Sequence, residues 1–271
     1  MTTIMRDAVS PDLRTTLRAL KLGQMLATLP DRLTLARQQK MTHADFLELV
    51  LADEVTRREA KSASLRARAA GLDPGMRLDT WDESAAIRYD RQLWNELASL
   101  RFLDGPHGAL ILGPVGVGKT HLACALGHIA IRRRRTVHMA SAAKLFKRLK
   151  AARLDNTLDY EMRRLATVVL LILDDFALQP LDAAETADFY QLCVERHQRA
   201  STVATSNRTA EEWLSMMADP LLAQSAVDRL ASTAHELIIE GESYRRRQKP
   251  SINHVTGASI DPQNGDHHDH S

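Results

Sequence analysis

Two rhythms of apolar residues divide this chain. Near the start the spacing is that of a helix, with Leu13, Leu17 and Leu20 on one face. Leu22, Met25, Leu26, Leu29 and Leu33 continue that face past Gly23, and Pro30 is expected to end or kink the helix. A second helix is predicted to start at Thr42, a good N-cap with Asp45 in the first turn, and to bury Phe46, Leu47, Val50, Leu51 and Val55 along one side. Its far end turns basic at Arg57, Arg58, Lys61, Arg66 and Arg68, just before the breakers Gly71, Pro74 and Gly75. Residues 1–75 therefore read as a small all-helical domain.

From about Leu110 the rhythm changes to short apolar runs alternating with helical segments, the pattern of a parallel sheet flanked by helices. Five strands are predicted, at Ala109–Leu112, Thr136–Met139, Val168–Leu173, Thr202–Thr205 and Glu236–Ile239, with helices between consecutive pairs. The fold class is α/β, and this second domain spans 76–249. The polar tail, 250–271, has nothing to bury and is expected to be disordered. Its histidines suit only adventitious metal, because a mobile tail must lose entropy to bind.

Composition changes this picture little. A 44% hydrophobic and 26% charged chain supports a core without disulfides or metal. The 36 basic residues are nearly cancelled by 34 acidic ones, giving a net charge of +2, so any nucleic-acid contact must come from local patches. Cys124 and Cys193 stand apart without metal-ligand neighbours and read as buried apolar residues. No window reaches the roughly 18 apolar residues of a membrane span, and the expected location is the cytoplasm.

The chemistry concentrates in a few segments. Gly113, Pro114, Val115, Gly116, Val117, Gly118, Lys119 and Thr120 spell a phosphate-binding P-loop between a predicted strand and a predicted helix. Backbone N–H groups and a helix N-terminus would converge there on one anion. Lys119 would reach the β- and γ-phosphates of ATP, and the Thr120 hydroxyl would help hold Mg²⁺. Six apolar residues from Val168 to Leu173 then lead into Asp174 and Asp175. Asp174 would serve the metal, while Asp175 would orient or deprotonate the attacking water.

Asn207, after the fourth predicted strand, is either a sensor of the γ-phosphate or a plain turn residue. Arg229, on a helix before the last strand, is either an arginine finger for a neighbouring subunit or an ion-pair partner of Asp228. Arg132, Arg133, Arg134 and Arg135 offer DNA contacts or simply complement a helix C-terminus. Tyr244 and Arg245, after the last strand, offer a stacking aromatic and a phosphate contact.

Together these segments resemble the IstB-like helper ATPases, relatives of the DnaC and DnaI helicase loaders within the AAA+ class. The resemblance rests on Leu20-Lys21-Leu22, Phe46-Leu47-Glu48-Leu49, Gly118-Lys119-Thr120-His121-Leu122-Ala123, Ser206-Asn207-Arg208, Glu212-Trp213, Asp228-Arg229-Leu230 and Gly241-Glu242-Ser243-Tyr244-Arg245. It adds His121 to the nucleotide site. It implies an ATPase that forms a homo-oligomer on double-stranded DNA and recruits or activates an integrase-type transposase, with the N-terminal helices serving assembly or partner contact. Two departures stand out. Asp175 replaces the usual Glu, and Phe176-Ala177-Leu178 replaces a Gly-Tyr-containing turn. The shorter acid sits about one methylene farther from the water, so slow hydrolysis is expected. A helicase loader shares the same core. A metabolic P-loop kinase needs neither an interfacial arginine nor DNA, and a DNA-binding scaffold would bind ATP without turnover.

Overall fold

The computed structural model describes residues 9–82 and 87–244. The tail after 250 and Arg245 lie outside them. The N-terminal helices are α1 (Pro11–Ala19), α2 (Leu29–Gln38) and α3 (His43–Ala69), with a 3₁₀ turn at Gly23–Ala27 between the first two. Ser10 caps α1 through its hydroxyl, and Thr42 and Asp45 form a reciprocal capping box at the start of α3.

Pro30 corrects the sequence reading. It stands in the first turn of α2, where its fixed φ and missing N–H cost nothing, so it starts a helix instead of ending one. A second correction concerns burial. Leu17, Met25, Leu29 and Val50 form a small core with Phe46 against it, but Leu47, Leu51 and Val55 are exposed, as are Leu13 and Leu20. The two short helices α1 and α2, with the 3₁₀ turn between them, give α3 a partner along one stripe only. Glu54 is buried in this region, and hydrogen bonds from Arg57 and Arg58, each 2.7 Å, hold its carboxyl down at about 2.

The last turn of α3 belongs to a different core. Ala67, Ala70 and Leu72 pack with the residues covering one face of the main sheet. Leu72 fills the space over Gly127, where a Cβ would come within 2.6 Å of it. The chain then leads into the short strand β1 (Ile87–Arg88) and α4 (Arg91–Ser99).

The main sheet is laid down as β2 (Gly108–Leu112), α5 (Lys119–Arg132), β3 (Val137–Ser141), α6 (Ala142–Leu154), α7 (Leu158–Thr167), β4 (Leu170–Asp174), α8 (Ala183–Arg196), β5 (Ser201–Ser206), α9 (Ala210–Leu214), α10 (Pro220–Ala231) and β6 (Ala234–Ile238). Its five strands are parallel in the order β3-β4-β5-β2-β6. Alternate residues face opposite sides and both sides are covered. Leu110, Leu171 and Ala204 meet α6 to α10, while Ile111, Ile172 and Val203 meet α5, α4 and the end of α3. Each strand predicted from sequence is present within two residues at either end. The final strand β7 (Glu240–Gly241) turns back to pair antiparallel with β1. Both cysteines are buried and free, and burial pushes their thiols up to about 11 at Cys124 and about 12 at Cys193. No helix among the described residues is long and apolar enough to cross a membrane.

Candidate functional site

Because β5 lies between β2 and β4, three strand ends deliver their polar residues to one edge of the sheet. The loop from Gly113 to Gly118 leaves β2 and enters α5. Its glycines take φ of 148° at Gly113, 86° at Gly116 and 98° at Gly118, values open to glycine and strained for other residues. Val117 is buried beneath and anchors the loop, while Pro114 and Val115 ride on its outer surface. The buried Lys119 ammonium donates to the carbonyls of Gly113 at 2.7 Å and Pro114 at 2.8 Å, which holds it within the loop.

Thr205 ties the end of β4 to the end of β5. Its hydroxyl donates to Asp174 Oδ1 at 2.6 Å and accepts from the Asp175 N–H at 2.9 Å, while its carbonyl accepts from the Phe176 N–H at 2.8 Å. Next to it, the Ser206 hydroxyl donates to the Phe176 carbonyl at 2.8 Å and accepts from the Trp213 indole at 3.1 Å. Phe176 itself packs edge-on to Trp213, 4.7 Å between centroids. These contacts fix the turn after β4 to the turn after β5, and so set Asp174 and Asp175 relative to Asn207. They also hold Asp175 at φ 52° and Ala177 at φ 54°, left-handed conformations that favour glycine.

The outcome is a cleft of about 450 Å³ lined by Gly118, Lys119, Thr120, His121, Asp175 and Asn207. Asp174 sits buried behind it at the end of β4. A hydroxyl at Thr120 and a carboxylate at Asp174 are hard oxygen donors of the kind Mg²⁺ takes, so the residues fit that ion.

Sequence reasoning missed the other wall. The segment after α3 brings Met76, Thr80 and Trp81 across the mouth, with Ile87 of β1 beyond. The Trp81 ring lies where a Cβ at Gly118 would stand, 2.6 Å away, and meets the His121 ring edge-on at 5.1 Å. His121 Nε2 reaches the Arg77 carbonyl at 2.8 Å. From the other side, Ser243 occupies the space beside Gly116, and the Tyr244 N–H donates to the Gly116 carbonyl at 2.9 Å. Tyr244, a DNA candidate from sequence, thus stands at the phosphate loop and lines the cleft. The available signal was a tryptophan in an otherwise polar, breaker-rich stretch.

The structure does not bring Arg229 to this cleft. It lies in the last turn of α10, near Gly108 and Thr233 at the edge where the strands begin, a full strand length from its own phosphate loop. Its guanidinium donates to the Ser225 carbonyl at 2.8 Å and to the Ser225 hydroxyl, and lies 5.9 Å from the Tyr190 ring centroid. The arginines after α5 have local partners: Arg133 donates to the Ser99 carbonyl, Arg134 to Glu59 at 2.7 Å and Arg135 to Asp104 at 2.9 Å. Arg132 is exposed beside them.

Comparison with known proteins agrees with this geometry. The family described as IstB-like ATP binding protein matches residues 15–251. An ATP-binding protein of an insertion sequence in Mycobacterium tuberculosis is 35% identical over 241 residues, 89% of this chain and 96% of that one. The ATP-binding protein of insertion sequence IS21 in Pseudomonas aeruginosa is 32% identical over 238 residues, 88% and 90% of the two chains. Among solved structures, DnaI superposes with a TM-score of 0.52 at 22% identity, over 60% of this chain and 90% of that chain, a likeness of fold. With a complete P-loop, a parallel sheet in this order and relatives matched along almost their whole length, this ATP-binding chain belongs to the IstB-like family of insertion-sequence proteins.

Proposed function

We propose that this protein is the ATP-hydrolysing helper of a transposition system, one that oligomerises on double-stranded target DNA and recruits or activates its partner transposase. The observation that carries the hydrolytic part is the tie between the turns after β4 and β5, in which Thr205 bonds the Asp174 carboxyl and the Asp175 N–H and Ser206 bonds the Phe176 carbonyl, with Asp175 and Asn207 both lining the phosphate cleft. A protein that only binds ATP needs the loop and the lysine. It does not need a second carboxylate and an amide lining the same cleft.

In this reading Lys119 neutralises charge on the β- and γ-phosphates, and Thr120 and Asp174 hold Mg²⁺, which when bound supplies electrostatic stabilisation of the phosphates. Asp175 orients the attacking water and takes its proton, and Asn207 donates to the γ-phosphate. Arg229 acts in the neighbouring subunit's cleft, consistent with its distance from its own. The DNA and transposase parts rest on the insertion-sequence relatives. The DnaI likeness is one of fold and does not favour helicase loading.

The test is phosphate release from ATP by the full chain, with and without duplex DNA and an integrase-type transposase. Turnover that rises with DNA is expected, and Lys119→Ala should abolish ATP binding and turnover together. Turnover indifferent to DNA, or dependent on a small-molecule phosphate acceptor, would overturn the reading.

A further inference from the structure

Two basic runs that are 64 residues or more apart in sequence meet on the surface of this protein. The second half of α3 lies along the end of α5, and together they form a groove of about 680 Å³. Arg66 ties them by donating to the Ile131 carbonyl at 3.2 Å, and Arg134 by its ion pair with Glu59. Six arginines line the groove, Arg58, Arg66, Arg68, Arg77, Arg132 and Arg134, against one carboxylate, that of Glu59.

Part of this charge serves the fold. Arg58 is paired with Glu54 and Arg77 with Asp79, and a cation near the end of α5 complements the helix dipole. Those roles do not account for the rest. Arg68 and Arg132 are exposed, face the groove, and have no ion pair among the described residues. Gathering guanidinium groups around one concavity costs repulsion that a bound polyanion removes. Arginine is also the side chain whose planar fork fits a phosphate with two parallel hydrogen bonds. A single phosphate would occupy a small part of the groove, so the ligand is a phosphate chain.

The geometry points to this groove as a docking surface for the backbone of duplex DNA, with Arg68 and Arg132 as phosphate contacts. The inference rests on the DNA-acting reading above and goes beyond it by naming the face that grips. It also couples the grip to the ATP site, because α5 begins at Lys119 and the chain after α3 carries Trp81 to Gly118.

The experiment measures binding of a labelled duplex of arbitrary sequence to the full chain with ATP and Mg²⁺, across a series of salt concentrations. Three proteins are compared: the natural sequence, Arg68→Glu with Arg132→Glu, and the milder Arg68→Gln with Arg132→Gln. Thermal unfolding and ATP affinity, which neither side chain touches, confirm that each variant is folded. Removing two phosphate contacts should flatten the slope of log affinity against log salt by about 1.8 and weaken binding at least about tenfold. The glutamine pair should show the same slope change with a smaller loss. Natural affinity and slope in both variants would overturn the groove while leaving the helper reading intact. So would retained DNA binding with loss of transposase binding, which would make the groove a seat for an acidic protein segment. Failure of the natural sequence to bind DNA in any nucleotide state would overturn both.

Discussion

Helices α3 and α5 both carry apolar residues at helical spacing, and they meet very different fates. Along α5 nearly every side chain from Leu122 to Ile131 is buried, because the helix lies between the sheet on one side and α3 and α4 on the other. Along the first half of α3 only Val50 and Glu54 are buried, and Leu47, Leu51 and Val55 form an exposed stripe. Apolar spacing states which face seeks cover. Whether the chain itself supplies that cover depends on how many elements can reach it. Around α5 a five-stranded sheet does so. Around the first half of α3 two short helices cover one stripe, and Leu47, Leu51 and Val55 stay exposed among the described residues.

The comparison would break first if the well-packed core were the whole catalyst. Arg229 is half-buried in the last turn of α10, away from its own cleft, so Arg229→Ala should spare ATP binding and lower hydrolysis by about 10³-fold or more if it works as a finger. Phosphate-release assays on mixtures test the geometry. Arg229→Ala subunits combined with Asp175→Asn subunits should regain turnover, since some interfaces join an intact Asp175 to an intact Arg229. Confirmed mixed oligomers without rescue would leave Arg229 as a structural residue bonded to Ser225.

Stability sharpens the comparison next. Leu72→Ala opens a cavity over Gly127 and should cost about 2–4 kcal/mol. By contrast, Leu51→Ala on the exposed stripe should change unfolding free energy by less than about 0.5 kcal/mol while weakening assembly or partner binding. Denaturant titration reads both. The same packing gives a prediction for truncation. A fragment beginning at 76 loses Ala67, Ala70 and Leu72 from the sheet's cover and should be unstable, whereas one beginning near 60 should fold and bind ATP.

Within the cleft, Asp175→Asn should preserve ATP binding and lower hydrolysis at least about tenfold, because Asp174 still serves the metal while the base is lost. Steady-state turnover with a nucleotide-affinity control checks it, and unchanged turnover would move the catalytic role elsewhere.

The sheet and the phosphate loop were legible in sequence because both are local. Four to six apolar residues make a buried strand, and an eight-residue motif makes the loop. The far wall of the cleft was not, because Trp81 and Ser243 reach Gly118 and Gly116 from segments that only the fold brings near. Thr205 read as a strand residue, and its bridge between Asp174 and Asp175 depends on strand order. The same holds for Arg196. It is buried at the foot of the sheet, donating to the carbonyls of Leu165 and Val168 and to the Thr202 hydroxyl, and burial lowers its pKa to about 10. A charged residue looks exposed in sequence, and Arg196, which has no carboxylate partner among the described residues, is buried because strand and helix ends offer it acceptors.

The smallest expected effect lies at the edge of the sheet, on β3. His138 is half-buried there beside a cavity of about 130 Å³ that also receives Lys144, Arg148, Glu161 and Arg164. Burial, with Arg164 and Arg148 adding repulsion and Glu161 opposing them, lowers the imidazole to about 4. An unfolded histidine titrates near 6.5. Between those values the unfolded chain binds a proton that the folded chain refuses, so stability falls as pH drops from about 6.5 towards 4 and is unaffected above that window. Allowing for solvent screening at a half-exposed site, the loss at pH 5.5 should be on the order of 1 kcal/mol. His138→Gln keeps a polar side chain of similar reach and cannot titrate, so its unfolding midpoint should drop less between pH 7 and pH 5.5 than that of the natural sequence. Equal drops in the two proteins would mean that His138 is as free to protonate in the fold as out of it, and that the acid sensitivity of this edge lies with other groups.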